Sequence, residues 1–178
     1  MKPCLPNSLP PAPGFTLVET LVAITILVTS IAGPLYIAER SFSAARAVRD
    51  QTTASYLAQE AIEYIRAIRD ANFMNEQPWL TGLDACMGPN ACTPDTSAWS
   101  LVACTDSTCS MRPMMFNNTT RLYNYAVQGG ANQPTKYTRA VTIETVDTNE
   151  VLVTSRVVWV ERGVTRSVAY AERLFNWR

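Results

Sequence analysis

"PGFTLVETLVAITILVTSIAGPLYIAER", residues 13–40, decides how the rest of this chain is read. From Phe15 to Ala38 it runs for 24 residues with Glu19 as the only side chain charged at neutral pH. At 1.5 Å per residue, a helix of that length covers roughly 36 Å, enough to cross a hydrocarbon core. A carboxylate in such a segment costs roughly 2.5–3.5 kcal/mol at the bilayer centre on insertion scales. Glu19 therefore either lies at the membrane edge by chance or is kept because something pairs with it. An ordinary transmembrane anchor is one reading of the run. A secretory signal cut after the small-x-small set Ser30-Ile31-Ala32 is another. Against the signal, only Lys2 is basic ahead of the run, five prolines (Pro3, Pro6, Pro10, Pro11, Pro13) crowd the same region, and the apolar stretch is longer than a usual signal core.

A third reading explains the acid. Gly14-Phe15-Thr16-Leu17-Val18-Glu19, heading an uninterrupted apolar helix, resembles the cleavage and methylation signal of type IV prepilins and type II secretion pseudopilins. The resemblance implies a membrane prepilin peptidase that cuts between Gly14 and Phe15 and methylates the new amine. It maps the family's charged fifth mature residue onto Glu19. It also implies that this carboxylate meets the N-terminal amine of an adjacent subunit during filament assembly. A free amine among apolar helices needs a counter-charge, and a wrong register would bury both charges unmatched. Two features depart from the family pattern. The leader "MKPCLPNSLPPAPG" lacks a basic cluster before the glycine, and Arg40, Arg46 and Arg49 follow the helix while only Lys2 precedes it.

Beyond the apolar run, Gly33-Pro34 predicts a kink, because proline removes a helical hydrogen bond and clashes with the preceding turn. From Ser41 the chain turns amphipathic. Ala54, Leu57, Ala58, Ala61, Ile62, Ile65 and Ile68 fall at i, i+3, i+4, i+7, i+8, i+11 and i+14, a helical stripe. Glu60, Glu63, Arg66, Arg69 and Asp70 lie mostly outside it, with Arg66 and Asp70 spaced to pair. Asn72, Asn75 and Pro78 mark the end. A kinked helix from about Thr16 to Phe73 measures roughly 85 Å. The remaining residues cannot wrap it, so membrane or other subunits must bury its first half. "AQEAIEYIRAIRD" (58–70) is similar to the corresponding helix of minor pilins and I-type pseudopilins.

Residues 77–135 read as irregular, rich in Gly, Pro, Asn and Thr. Five cysteines occur, and a cut after Gly14 discards Cys4 and leaves Cys86, Cys92, Cys104 and Cys109. An even set beyond a membrane segment reads as a disulfide framework in an oxidising compartment. Three pairings exist. The local pairs Cys86–Cys92, around Gly88-Pro89-Asn90, and Cys104–Cys109, around Asp106-Ser107, are favoured over the others and over a zinc site, whose ligand spacings differ. "TRAVTIETV" (138–146), "EVLVTSRVVWV" (150–160) and "VTRSVAYAERL" (164–174) read as an antiparallel meander. Its expected inward faces are Val141 and Ile143; Val151, Val153, Val157 and Trp159; and Val164, Val168, Tyr170 and Leu174. "RLYNYAVQ" is a candidate fourth strand, and the helical stripe supplies the sheet's cover.

The segments are then 1–14 (leader), 15–38 (membrane and assembly half of the helix), 39–76 (amphipathic half), 77–135 (irregular, Cys-containing) and 136–178 (antiparallel sheet). The fold class is α+β, a long kinked helix on an antiparallel sheet, as the resemblance also implies. Acids and bases balance at 15 each, and histidine is absent. No nucleotide-binding or nucleophile motif appears, so the chain reads as a non-enzyme without metal or cofactor. Asp84, Asp95 and Asp106 lie too far apart in sequence for a dense calcium pattern. Asn117-Asn118-Thr119-Thr120 holds two overlapping glycosylation sequons but reads as a polar loop.

The resemblance implies a structural subunit of a type IV pilus or type II secretion-like filament, held first as a single-pass protein in the cell membrane. Its implied partners are other pilin or pseudopilin subunits, the prepilin peptidase, an inner-membrane assembly platform and, before assembly, the lipid bilayer. The neutral balance argues against nucleic acid as a nonspecific partner. Two alternatives are a ligand-binding minor pilin (adhesin or DNA-uptake) and a single-pass anchored domain that never polymerises.

Overall fold

A computed structural model describes residues 14–104 and 112–177. The chain divides between Arg46 and Ala47 into two compact units. One helix, α1 (Leu17–Met74), contributes to both and continues unbroken through Gly33 and Pro34.

In the second unit, the stripe expected from the spacing is the buried face of α1. Ala54, Leu57, Ala58, Ala61, Ile62 and Ile65 are buried, and Ile68 packs half-buried beside them. The helix stops by a left-handed residue. Glu76 takes φ 55° and donates its N–H to the Phe73 carbonyl at 3.3 Å, and the Gln77 N–H reaches back to Asn72 O at 2.9 Å. That is the pairing by which a C-terminal turn satisfies its orphan carbonyls. The Asn72 side chain then donates to Trp79 O and Thr81 O, fixing the reversal that follows.

After a short 3-10 turn (Asp84–Cys86) come β1 (Ala91–Asp95), β2 (Ser100–Cys104), β3 (Met115–Asn117), β4 (Tyr123–Asn124), β5 (Asn132–Pro134), β6 (Tyr137–Asp147), β7 (Glu150–Glu161) and β8 (Val164–Phe175). The three-strand meander read from the sequence is β6, β7 and β8. It forms part of a five-stranded antiparallel sheet in the order β2-β1-β6-β7-β8. The β6–β7 turn is preceded by a bulge between Thr145 and Asp147. The β7–β8 turn uses Arg162 and Gly163, both at positive φ, the twist that suits a two-residue hairpin.

The stretch 77–135 is thus more ordered than its composition indicates. Its strands β1 and β2 extend the main sheet, whereas "RLYNYAVQ" supplies only the two-residue β4 of a separate small sheet, β4-β3-β5. Pro94 hides β1 from a sequence reading, because proline inside a strand argues against a strand. The structure accommodates it by limiting the β1–β6 ladder to one pair, Cys92 with Val141.

Alternation correctly places Val141, Ile143, Val151, Val153, Val157, Trp159 and Leu174 in the core. It fails for Val164 and Tyr170, which are exposed, and Val168 is only partly buried. The reason is that β8 is an edge strand and α1 meets it mainly at its far end, through Arg66 with Glu172 and Arg69 with the Phe175 carbonyl. Arg66 also pairs with Glu63 at 2.7 Å, and Asp70 pairs with Arg69, so the expected Arg66–Asp70 pair does not form.

Cys86 and Cys92 form the expected disulfide, fully buried against Leu83 and Ile143 in the main core cluster. It fastens the 3-10 turn to β1. With a sequence separation of only 6, the closed loop is short, so the cross-link contributes about 2 kcal/mol in the chain-entropy account. A Cys86→Ala/Cys92→Ala chain is expected to lose that much in denaturant unfolding of the detergent-solubilised protein. No loss would show that packing alone holds the turn.

Candidate functional site

The first unit is defined by what does not cover it. Every residue from Gly14 to Ile37 is exposed, including Phe15 at 78% and Leu35 at 64%. An apolar cylinder of this kind is long and apolar enough to cross a membrane and lies near the N-terminus. Within it the local polar chemistry is almost closed. Between Leu17 and Leu35 the polar side chains are Glu19, Thr20, Thr25, Thr29 and Ser30. Each hydroxyl donates to a carbonyl of its own helix: Thr20 to Leu17 O at 2.8 Å, Thr25 to Val22 O at 3.2 Å, Thr29 to Thr25 O at 2.8 Å and Ser30 to Leu27 O at 2.9 Å. Such bonds remove most of the cost of placing hydroxyls in hydrocarbon. The carboxylate of Glu19 has no such partner among the described residues.

Thr16 has a role that the spacing T-x-x-E encodes and that membrane length obscures. Its hydroxyl accepts the Glu19 N–H at 3.2 Å, capping the helix start, while the Glu19 carboxylate at the third helical position makes no return bond. Glu19 is also the acid of the first turn, where the helix dipole favours a negative charge. Gly14 and Phe15 stand directly before this cap, so the three residues Gly14, Phe15 and Glu19 gather at one helix end. Leu17 to Leu35 spans roughly 28 Å, close to a hydrocarbon thickness. The next residues are Tyr36 and Arg40, with the guanidinium 5.0 Å from the ring centroid. An aromatic ring and a cation suit a headgroup boundary.

In the second unit the functional group missed by sequence reasoning is Arg139. It sits on the inward face of β6 with Val141 and Ile143, its side chain 1% exposed. One arm donates to Leu57 O at 2.8 Å and Glu60 Oε2 at 3.0 Å; the other donates to Pro94 O at 2.6 Å. Glu60 also accepts from Thr96 Oγ1 at 2.6 Å. This knot joins helix, β1 and β6. The signal was present in the sequence, since an arginine at a period-2 inward position must be paired if buried.

Asp95 performs a related task. Its Oδ1 accepts from the Ser97 N–H and hydroxyl and from the Ala98 N–H, and its Oδ2 from the Tyr125 N–H at 2.8 Å. Its oxygens are thus committed to the β1–β2 turn rather than open to a cation. Burial raises its pKa, but the hydrogen bonds from Ser97, Tyr125 and Ala98 outweigh it, holding the carboxyl below its ordinary value. Asp106 lies outside the described residues, and among those described no three His, Cys, Asp or Glu gather as a metal-binding group. Asn117 turns its Oδ1 to the Thr119 and Thr120 amides and its Nδ2 to Asn132, which builds the small sheet's turn. Cys104 is disulfide-bonded, and its expected partner Cys109 lies outside the described residues. Tyr137 is pushed up to about 12 by burial and then by the adjacent Asp50 charge, which its hydroxyl contacts at 3.2 Å.

No protein-family model, curated protein or solved structure matches the chain. The architecture itself, an apolar N-terminal helix whose later half packs on an antiparallel sheet, is compatible with a pilin-like fold.

Two substitutions test this knot and turn. Arg139→Ala removes the cation paired with Glu60 and the donor to the Leu57 and Pro94 carbonyls and is expected to cost about 3–5 kcal/mol, with Arg139→Met milder because it restores apolar volume. A loss below about 1 kcal/mol in denaturant melts contradicts the assigned role. For Asp95 the folded pKa is depressed, so its stabilisation is full above its unfolded value near ~4 and vanishes as pH falls through the folded pKa. The gap in unfolding free energy between wild type and Asp95→Asn is therefore expected to hold at neutral pH and to close on acidification. A gap that stays constant into strong acid refutes it.

Proposed function

We propose that this chain is a structural subunit of a type IV pilus or type II secretion-like filament. It is cut between Gly14 and Phe15, methylated at the new amine, held in the cell membrane by its apolar helix and then assembled. Its work is association rather than catalysis, with other subunits, the processing peptidase and an inner-membrane assembly platform as partners. The observation that carries the reading is Glu19. It is the one polar side chain between Leu17 and Leu35 that its own helix leaves without a bond, and it stands five residues after the glycine of the motif. A carboxylate in that position matches an incoming cationic amine from a neighbouring chain. The uncovered cylinder around it supports the same reading, since helices of other subunits can replace lipid against it.

A second reading has one observation in its favour. The place of Glu19 in the first turn, where the helix dipole favours a negative charge, gives the acid a purely local reason to exist, as in a membrane anchor that never polymerises. Glu19→Gln separates the two, because it keeps the Thr16 cap on the backbone N–H of residue 19 and a similar side-chain volume but carries no charge. In its own cells the variant is expected to insert and to be processed normally, while its recovery in sheared or sedimentable filaments falls at least about tenfold. The N-terminal peptide of the wild-type protein is expected to begin at N-methylated Phe15. Equal recovery of Glu19→Gln, or an unprocessed N-terminus, refutes the filament reading in favour of the anchor.

A further inference from the structure

Besides the exposed Arg156 in mid-sheet and Arg112, which bonds the Tyr125 carbonyl, the second unit carries charge without ion pairs at two opposite ends. The register of the sheet defines the ends. Tyr137, Trp159 and Arg166 lie at one level, beside Asp50 of α1, and Thr145, Val151 and Leu174 lie at the other, beside Arg69. Ion pairs cancel locally at both: Lys136 with Asp50 and Arg166 with Glu161 at the first, Arg173 with Glu150 and Arg69 with Asp70 at the second. What remains at the first end is Arg49, Arg121 and Arg162, none in an ion pair among the described residues. What remains at the second is Glu76, Asp84, Glu144 and Asp147, likewise without ion pairs there. Each end also exposes apolar side chains at a hairpin tip, Val160 and Val164 on the basic one and Val146 on the acidic one.

The 12 residues of β7 separate the tips by roughly 36–40 Å, several Debye lengths at physiological salt. Within one molecule the poles therefore do not neutralise each other. They are complementary to the opposite pole of another copy.

The geometry points to a head-to-tail contact between copies of this chain, in which the basic Arg162 hairpin tip of one subunit meets the acidic Glu144–Asp147 end of the next. The occupant is a second copy, because one surface supplies cations and exposed valines and the other supplies carboxylates and a valine, on the same chain. Two unlike surfaces make a heterologous interface, which propagates instead of closing as a pair. This contact rests on the filament reading and adds to it an ordering of the globular parts that the N-terminal helix does not specify. It also sets polarity, since like ends repel.

The test uses charge reversal in the full-length protein in its own cells. Arg162→Glu puts an acid on the basic hairpin tip, and Glu144→Arg puts a cation at the acidic end, so each single variant places like charges at the proposed contact without inverting the whole end. Both side chains are exposed and make no hydrogen bond or ion pair among the described residues, so the fold is expected to melt as wild type does, and the melt is measured. Each single variant is expected to lower recovery in filaments about tenfold, and the combined Arg162→Glu/Glu144→Arg chain to recover most of it. Raised salt is expected to weaken wild-type head contacts and to narrow the difference between wild type and either single variant. Single variants that assemble like wild type overturn the contact while leaving the filament reading intact. Loss in Arg162→Glu without rescue by Glu144→Arg also overturns it, assigning the basic tip to another partner such as anionic lipid headgroups. Absence of any Glu19-dependent assembly in the wild type removes the filament and this contact together.

Discussion

The constraint on which the rest depends is that α1 is one helix with two solvents. Its second half has a protein face, from Ala54 to Ile68, and its first half has none. Apolar side chains exposed on every side of a helix cannot remain in water, where each buried methylene is worth about 0.8 kcal/mol. Among the described residues no other segment packs against Gly14 to Ile37. In the proposed assembly that segment is covered first by lipid and then by other helices. The hydroxyl bonds of Thr20, Thr25, Thr29 and Ser30 are consistent with both covers, since neither lipid nor a packed helix offers many donors.

The second half solves a different problem, namely how a helix facing two solvents keeps a fixed register on its sheet. Leucine and alanine give adhesion without direction. Arg139 supplies the direction, because its planar fork must meet Leu57 O, Glu60 and Pro94 O together. Sliding the helix by one turn would break two of these bonds and leave a buried cation. The proline that shortens the β1–β6 ladder is part of the same arrangement, as the carbonyl that Pro94 presents is one that Arg139 takes. At the opposite end, Cys86–Cys92 ties the turn under the helix terminus to the same strand β1.

Much of this was legible in the sequence, and the failures have physical causes. Periodicity of 3.6 placed the stripe on α1, and periodicity of 2 placed the cores of β6 and β7. Both are strong because each element is long and one-sided. Alternation misplaced Val164 and Tyr170 because it reports which face of a strand points inward, not whether a helix reaches that far along an edge strand. It missed β1 and β2 because short strands with a proline and capped turns resemble loops in composition. Arg139 and Asp95 were passed over singly, since their meaning depends on partners 79 and 30 positions away. The Thr16–Glu19 cap was hidden by attention to membrane length, although its spacing is a local motif.

That cap decides how strongly Glu19 argues for assembly. In the first turn of a helix a carboxylate gains roughly 0.3–1 kcal/mol from the dipole, and near a membrane edge it keeps access to water. In the bilayer, then, Glu19 is nearly harmless, and its presence there demands no partner. The demand arises on leaving the bilayer. In a bundle of apolar helices the headgroup water is gone, and an unpaired carboxylate costs several kcal/mol. A cationic amine on the neighbouring chain removes that cost only when the two helices are staggered so that the amine and carboxylate meet. In the proposed filament the acid therefore leaves a membrane-held chain free to diffuse and penalises mis-staggered contacts selectively, which is the behaviour expected of a register determinant in a polymer.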